Sequence, residues 1–138
     1  MNFATAVKTG FTKYAAVSGR ASRSEFWWFT LFLFGANIVT GFADSILGTT
    51  IQIGDQASDE IGYLSLIWTL IIILPSSAIA VRRLHDRDRS GWWYWIMVIP
   101  LVGAIWLLIW YCQRGTPGPN RYGPDPLASA TNWPIAQL

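Results

Sequence analysis

Long apolar runs separated by short polar segments dominate the pattern of this chain. The first two runs, 24–47 and 61–84, are each long enough for a helix to cross a hydrocarbon core of roughly 30 Å. The third run, 92–112, can just span it, although Pro100 and Gly103 interrupt it near the middle. The pattern predicts an all-α integral membrane protein with three transmembrane helices.

The third run leaves two arrangements open. A single helix kinked at Pro100 is the main prediction, because proline removes a backbone donor from a helix interior. The alternative is a re-entrant hairpin turning at Pro100–Gly103, since each arm of that hairpin would be too short to cross alone. The single crossing would place the C-terminus outside the cell, and the hairpin would return it inside.

A shorter segment, 2–17, precedes the first membrane helix. Its larger apolar residues recur at helical spacing, and its two lysines lie off that stripe. It is too short and too polar to span a bilayer, so we interpret it as an interfacial amphipathic helix with its stripe in the acyl boundary. The stripe consists of Phe3, Val7, Phe11 and Tyr14.

Local signals mark where the first two membrane helices begin and bend. Ser22 and Glu25 have the spacing of a capping box, in which Ser22 accepts from the Glu25 N–H and the Glu25 carboxylate reaches back to the cap. The first helix therefore begins near Arg23. In the second helix Pro75 predicts a kink, with the hydroxyls of Ser76 and Ser77 covering the freed carbonyls.

Two polar segments complete the chain. Residues 49–60 form a loop with three acidic residues and no lysine or arginine. The tail, 113–138, is rich in proline and glycine, which predicts turns and poor order. We therefore predict a single membrane domain over 1–126, with the tail as its C-terminal part.

One face of each of the first two membrane helices carries small or polar residues. Lipid penalises such residues, so we expect these faces to contact other helices, in a homo-oligomer or with another membrane protein. The alternative is an ion or proton pathway, which would require an oligomer. The residues are Asn37, Gly41 and Asp44 on the first helix, and Ser65, Thr69 and Ser76 on the second.

Composition and charge agree with a membrane location. The chain is 52% hydrophobic and 13% charged, and its nine tryptophans suit interfacial aromatic belts. Eight of its ten basic residues lie in the N-terminal segment and in 82–91, which predicts that both are cytoplasmic. A net charge of +2 is too weak to indicate a nucleic-acid partner.

The two basic segments are the candidate site. If the second helix continues to Asp88, helical spacing pairs Arg82 and Arg83 with Asp86, and His85 with Asp88. Arg87 and Arg89 would then remain free for the phosphates of anionic lipids, which arginine binds in bidentate fashion. A loop that only sets topology is the open alternative. The candidate lipid-headgroup or structural interface comprises Arg20, Arg23, Glu25, Arg82, Arg83, His85, Asp86, Arg87, Asp88 and Arg89.

Three segments, GRASRSEFWWF, RRLHDRDRSGWW and GTPGPNRYGPDP, occur in this order. Together they resemble a family of small bacterial inner-membrane proteins typified by YhaH and YhaI, a domain of unknown function. The resemblance covers about residues 15–126, and it implies an inner-membrane location and a helical fold. It implies no established activity. In the third segment it falls on Gly115, Gly118, Asn120, Arg121, Tyr122, Gly123, Asp125 and Pro126.

No motif for catalysis is present. The chain has no phosphate-binding loop, dinucleotide fingerprint, nucleophile elbow or HExxH sequence. One histidine is too few for a typical metal site, so we expect neither a metal nor a cofactor. We predict a non-enzymatic structural or accessory subunit that binds anionic lipid, and the alternative is a homo-oligomeric channel or transport subunit lined by Asn37, Asp44, Ser65 and Thr69.

Overall fold

The computed structural model describes residues 1–55 and 60–128, and this part of the chain is mostly helical. Two long helices form the frame, with most of the shorter elements packed around one end of them and a short pair of strands at the other end. The elements in order are α1 (Phe3–Thr12), α2 (Arg23–Leu47), β1 (Thr50–Gln52), β2 (Glu60–Gly62), α3 (Tyr63–Asp86), a 3₁₀ helix (Gly91–Val98) and α4 (Val102–Cys112).

Helices α2 and α3 run antiparallel, and each is long and apolar enough to cross a membrane by length and composition. The predicted Ser22 cap is present, since its hydroxyl accepts the N–H of Glu25 at 3.2 Å. Helix α2 begins one residue before the predicted 24–47. Helix α3 begins and ends two residues later than the predicted 61–84, so the basic segment contributes its last turn.

Pro75 lies inside α3, and the expected cover for its freed carbonyl was wrong. Proline cannot donate to the carbonyl four residues before it, which is that of Ile71. This carbonyl accepts a hydrogen bond from the Tyr14 hydroxyl, whereas Ser76 and Ser77 donate to Ile73 at 3.1 and 2.7 Å. A side chain from the N-terminal segment therefore supplies the hydrogen bond that proline cannot donate. Local spacing within α3 could not predict this contact.

Helix α1 packs on α2 and is shorter than the predicted 2–17. The Phe11 ring makes edge-to-face contacts with Phe29 and Phe32, at centroid distances of 5.6 and 5.8 Å. Buried Gly10 lets the Phe29 ring approach, since a Cβ atom there would overlap that ring. Much of the aromatic stripe thus contacts protein, although Phe3 keeps 44% of its surface exposed.

The main prediction for 92–112, a single helix kinked at Pro100, was wrong. The segment begins as the 3₁₀ helix, reverses near Pro100 and returns as α4, whose 11 residues are too few to cross a bilayer. The rings of Trp93 and Trp110, from opposite ends of the segment, meet at 5.4 Å. Leu101 adopts a positive φ of 61° at the reversal, and Gly103 lies against the Ile96 carbonyl. The backbone follows the hairpin alternative.

The loop 49–60 is not purely irregular, so the all-α prediction missed a small sheet. Strands β1 and β2 pair antiparallel, with Ile51 opposite Ile61. Their β-branched residues suit this short ladder, which connects the ends of α2 and α3. Asp59 and the rest of 56–59 lie outside the described residues.

Buried residues concentrate at the end of the helix pair where α2 begins and α3 ends. Phe26 and Phe29 of α2 pack there with Leu84 of α3 and Leu107 and Tyr111 of α4. Toward the opposite end the long helices leave large apolar side chains exposed. Such an exposed apolar surface suits lipid contact better than contact with water. Examples are Phe34, Val39, Phe42, Ile46, Leu70 and Ile73.

Candidate functional site

Arg82 and Glu25 form a buried ion pair between the two long helices. Arg82 Nη1 donates to Glu25 Oε1 at 2.6 Å, and both side chains are almost fully buried. Glu25 therefore does not complete the predicted capping box, and Arg82 does not pair with Asp86 as predicted. Among the described residues, Nε and Nη2 of Arg82 have no hydrogen-bond partner, so Glu25 is the sole acceptor for this guanidinium.

Asp86 joins two further buried arginines. Its carboxylate accepts from Arg20 Nε at 2.9 Å and from Arg83, three residues earlier on the same helix. The predicted Arg83–Asp86 pair is thus present. Arg83 also donates to the backbone carbonyls of Tyr111, at 3.1 Å, and Gln113. One carboxylate therefore connects the segment before α2, the last turn of α3 and, through Arg83, the end of α4.

The C-terminal turns close over this network, which we call the buried ionic cluster: Arg20, Glu25, Arg82, Arg83 and Asp86. Arg20 donates to the carbonyls of Thr116 and Gly118, each at 2.6 Å. The Thr116 N–H donates to the Asp86 carbonyl at 2.8 Å. Gly115 lies directly against the Asp86 carboxylate, where a Cβ atom would overlap it.

His85 has a packing role beside the cluster. Its ring stacks on Tyr122 at 3.8 Å with an interplanar angle of 4°, and Nδ1 lies 3.2 Å from the Gly19 carbonyl. The predicted His85–Asp88 pair is absent, because α3 ends at Asp86 and Asp88 turns away with a positive φ of 56°. Asp88 instead pairs with Arg121 at 3.1 Å, on the surface.

The described part of the C-terminal tail is ordered by these contacts, contrary to the prediction. Asn120 donates to the His85 carbonyl at 2.9 Å. Asp125 accepts the N–H groups of Leu127 and Gly118 at 2.9 and 3.1 Å, and these bonds hold the pKa of Asp125 below its ordinary value. Residues 129–138 lie outside the described part.

The exposed arginines differ from those we expected to be free. Arg87 donates to the Arg114 carbonyl at 2.7 Å, and the Arg89 guanidinium lies 4.1 Å from the centre of the Trp110 ring. Arg23 and Arg114 are exposed, and their guanidinium groups make no hydrogen bond or ion pair within residues 1–55 and 60–128. Lys8 and Lys13 are also exposed and unpaired among the described residues, so Arg23 and Arg114 are the free arginines within a larger set of cations available to an external anion.

Asp44 occupies the opposite end of the helix pair and caps α3. Its carboxylate accepts from the N–H groups of Leu64 and Ser65, at 2.9 and 2.8 Å, and from the hydroxyls of Ser65 and Thr49, both at 2.7 Å. Gly62 provides no side-chain cap of its own and leaves room for this carboxylate. Asp44 thus supplies the missing acceptor from a neighbouring helix.

The predicted polar faces meet only at this cap. Asn37 is exposed and donates to the Leu33 carbonyl of its own helix at 2.7 Å. Thr69 likewise donates to Ser65, at 2.8 Å, and Gly41 has open space where a Cβ would stand. Asn37 and Gly41 therefore lie on an uncovered face of α2.

The buried ionic cluster joins several segments of the chain, and exposed cations surround it. Across the described ranges, no group of three or more His, Cys, Asp or Glu side chains could hold a metal ion. Sequence reasoning did not assign Gly115, Thr116, Asn120 or Tyr122 to the site. Their signal was their place in the third family-like segment, without which their contacts with α3 were not foreseeable.

Comparison with known proteins gives a family without an assigned activity. The family model described as "Protein of unknown function (DUF805)" matches residues 14–124. The chain is 42% identical over 113 residues to the inner membrane protein YhaH of Escherichia coli K12, covering 82% of this chain and 88% of YhaH. For the inner membrane protein YhaI of the same strain, the identity is 41% and the coverage 82% and 87%.

A more distant relative is the uncharacterized protein YiiR of the same strain. It is 27% identical over 133 residues, covering 78% of this chain and 83% of YiiR. No solved structure matches the chain.

Proposed function

Because this chain belongs to the DUF805 family, whose relatives YhaH and YhaI are named inner membrane proteins, we propose that it is a multi-pass protein of the bacterial inner membrane. Helices α2 and α3 cross the bilayer. The hairpin of the 3₁₀ helix and α4 enters from the side on which α3 ends and returns to it. The N-terminus, the segment after α3 and the described tail then share the cytoplasmic side.

The distribution of charge supports this topology. All ten lysines and arginines lie at or before Arg23, or at or after Arg82, and 24–81 contains none. With the hairpin returning, every positive charge is on one side of the membrane, which is a stronger bias than the sequence alone indicated. Basic residues favour the cytoplasmic side during insertion.

Labelling of single cysteines tests the topology. In a Cys112→Ser background, Gln52→Cys should react with a membrane-impermeant maleimide in intact spheroplasts, and Pro119→Cys only after permeabilisation. Reaction of Pro119→Cys in intact spheroplasts would place the tail outside and refute the returning hairpin.

We propose that the protein is a non-enzymatic structural or accessory subunit whose cytoplasmic face binds anionic lipid headgroups. The observation that carries this proposal is the contrast between the buried, paired arginines and the two exposed arginines that remain unpaired. Arg20, Arg82 and Arg83 are paired in the buried ionic cluster, whereas Arg23 and Arg114 face outward and have no acceptor among the described residues. Basic groups near an anionic leaflet each contribute about 1 kcal/mol.

Detergent-free extraction followed by lipid mass spectrometry tests the lipid proposal. Phosphatidylglycerol and cardiolipin should be enriched around the protein relative to the bulk membrane, and a high-salt wash should reduce the part of this enrichment that depends on exposed charges. Co-extracted lipid with the composition of the bulk membrane would contradict it.

We also propose self-association through the uncovered face of α2 that contains Asn37 and Gly41. An amide facing lipid is costly, and a small neighbour lets a second helix approach closely. Asn37→Leu should reduce the oligomer fraction found by cross-linking in native membranes. Ion flux in liposomes that disappears with Asn37→Leu would favour the channel alternative, and flux at background level would argue against it.

A further inference from the structure

A cleft of about 480 Å³ opens beside the start of α2, between that helix and the end of α4. Its polar wall contains Arg23 and Ser24, and its apolar wall contains the rings of Trp27 and Trp28. Cys112, the single cysteine of the chain, lies on its rim and is exposed. The cleft thus combines a cation, a hydroxyl and two aromatic faces.

The charges around the cleft favour an anion. Arg23 makes no hydrogen bond or ion pair in the described part of the chain, and it is close enough to Arg83 to repel it electrostatically. Arg23 and Arg114 also line a shallow depression that adjoins the cleft. An anion bound at Arg23 would offset its repulsion of Arg83, and arginine matches the geometry of a phosphate group.

Two carboxylates line the adjoining depression, but neither forms an ion pair with Arg23 in the described part of the chain. Asp86 also reaches the adjoining depression, but its oxygens accept from Arg20 and Arg83. Asp125 also lines the depression, where it accepts two backbone N–H groups and attracts Arg114 electrostatically. Within the described residues, the Arg23 guanidinium therefore has no direct carboxylate partner.

The aromatic wall indicates what the anion is attached to. Trp27 and Trp28 are 38% and 41% exposed in the first turns of a membrane-length helix, and apolar Leu31 follows one turn further on with 52% exposed. Tryptophan at this depth contacts the glycerol and upper acyl region of lipids. A ligand that touches both walls carries a phosphate and an apolar part.

We propose that this cleft is a specific site for one anionic phospholipid, a site that rests on the cytoplasmic orientation and the lipid-binding function proposed above. The phosphate binds the Arg23 guanidinium next to the Ser24 hydroxyl, whose oxygen also lies 3.5 Å from the N-terminal ammonium and 3.1 Å from the Ser22 hydroxyl. The glycerol and first acyl carbons lie on Trp27 and Trp28. Arg114 adds long-range attraction from the adjoining depression.

Alkylation of Cys112 tests occupancy in the unmodified protein. In nanodiscs containing phosphatidylglycerol, the rate of Cys112 alkylation should fall several-fold relative to nanodiscs of phosphatidylethanolamine alone. Inorganic phosphate or glycerol phosphate, added at millimolar concentration to the latter, should give no comparable protection. Equal protection by a soluble phosphate would overturn the lipid assignment, and equal rates in both nanodiscs would overturn the site.

Native mass spectrometry with added phosphatidylglycerol locates the phosphate contact. Arg23→Gln should weaken lipid binding about fivefold or more, and Arg23→Lys should retain most of it. Arg121→Gln is the matched control, because Arg121 is also an exposed arginine but pairs with Asp88. Trp27→Ala should weaken binding through the apolar wall and provides a second variant if Arg23→Gln does not fold.

The outcomes separate this site from the general function. Anionic-lipid enrichment that is the same in the wild type, Arg23→Gln and Arg121→Gln would refute the cleft while leaving a diffuse lipid-binding face intact. An equal loss in both arginine variants would also refute the cleft, since it would show dependence on total charge. Absence of enrichment in the wild type would refute the proposed lipid-binding function itself.

Discussion

The two ends of the α2–α3 pair each bury a carboxylate, but they use it differently. Asp44 accepts only neutral N–H and O–H groups, from one turn of α3 and from Thr49, which follows the α2 C-cap Gly48. Asp86 binds Arg20 and Arg83, which belong to different parts of the chain. The first arrangement closes a helix end locally, whereas the second joins several segments at once.

This difference predicts different responses to mutation. Removing the Asp44 carboxylate leaves the N–H groups of one helix turn without an acceptor, and water at the membrane surface can replace it. Removing the acceptor of buried arginines leaves positive charges without compensation inside the protein, which is far more costly. The cluster end should therefore control global stability, and the Asp44 end only the first turn of α3.

The largest effect is expected from Asp86→Asn. This substitution removes the negative charge that compensates Arg20 and Arg83, while it keeps the shape of the side chain. Breaking buried pairs of this kind costs about 3–5 kcal/mol. The free energy of unfolding, measured by denaturant titration in mild detergent, should fall by that amount. Asp88→Asn is the control at a surface position. A loss no larger than that of the control would show that Asp86 does not join the segments as described.

A smaller and localised effect is expected from Asp44→Ala. Without the cap, hydrogen exchange should accelerate at the amides of Leu64 and Ser65, while the cluster end keeps its protection. Ser45→Ala, at the exposed neighbouring position, should change neither. Uniform acceleration over the whole of α3 would contradict the contrast between the two ends.

Two glycines sharpen the comparison because each lies against one of the carboxylates. Gly115→Ala crowds Asp86 and Gly62→Ala crowds Asp44, and overpacking of this kind typically costs about 1–3 kcal/mol. The cost should be larger at Gly115, since two arginines hold the Asp86 carboxylate in place. Gly41→Ala, where the added Cβ meets open space, should not destabilise the protein. Equal losses in detergent unfolding at Gly62 and Gly115 would mean that both carboxylates are held with equal rigidity.

The smallest effect is expected at the exposed Asp88–Arg121 pair. Its side chains are 45% and 60% exposed, and surface pairs contribute about 0–1 kcal/mol. Arg121→Gln should therefore leave the unfolding free energy within this range, and added salt should reduce the difference further. A loss approaching that of Asp86→Asn would show that the tail depends on this pair instead of on Arg20.

Much of this organisation is encoded in local sequence. Hydrophobic run length predicted the two long helices to within two residues at each end, and the Ser22 cap placed the start of α2. The three family-like segments identified the family, and they include the residues that meet around Asp86. These features depend on neighbours in sequence, for which periodicity, capping rules and motif spacing suffice.

Tertiary structure alone decided how the polar groups are paired. Glu25 satisfies the spacing of a capping box, but its carboxylate binds Arg82 instead. A buried arginine without a counter-charge costs more free energy than a helix-end N–H that must find another acceptor. The Ile71 carbonyl likewise has a remote partner. Pro75 cannot donate to it, so this carbonyl accepts from the Tyr14 hydroxyl instead. Spacing rules consider only partners that are close in sequence, whereas Arg82 is far from Glu25 in the chain and Ile71 is far from Tyr14.

The path of 91–112 shows the same division. In the sequence, Pro100 and Gly103 predicted an interruption of the helix, and both a kink and a reversal of the chain were compatible with that interruption. The reversal allows the end of α4 to offer its Tyr111 and Gln113 carbonyls to Arg83, and it brings Trp110 under Arg89. The sequence by itself determined that the protein has membrane-length helices with a basic end. Only the tertiary structure decided which arginines that end buries and which it leaves exposed, because burial depends on segments that meet far from one another along the chain.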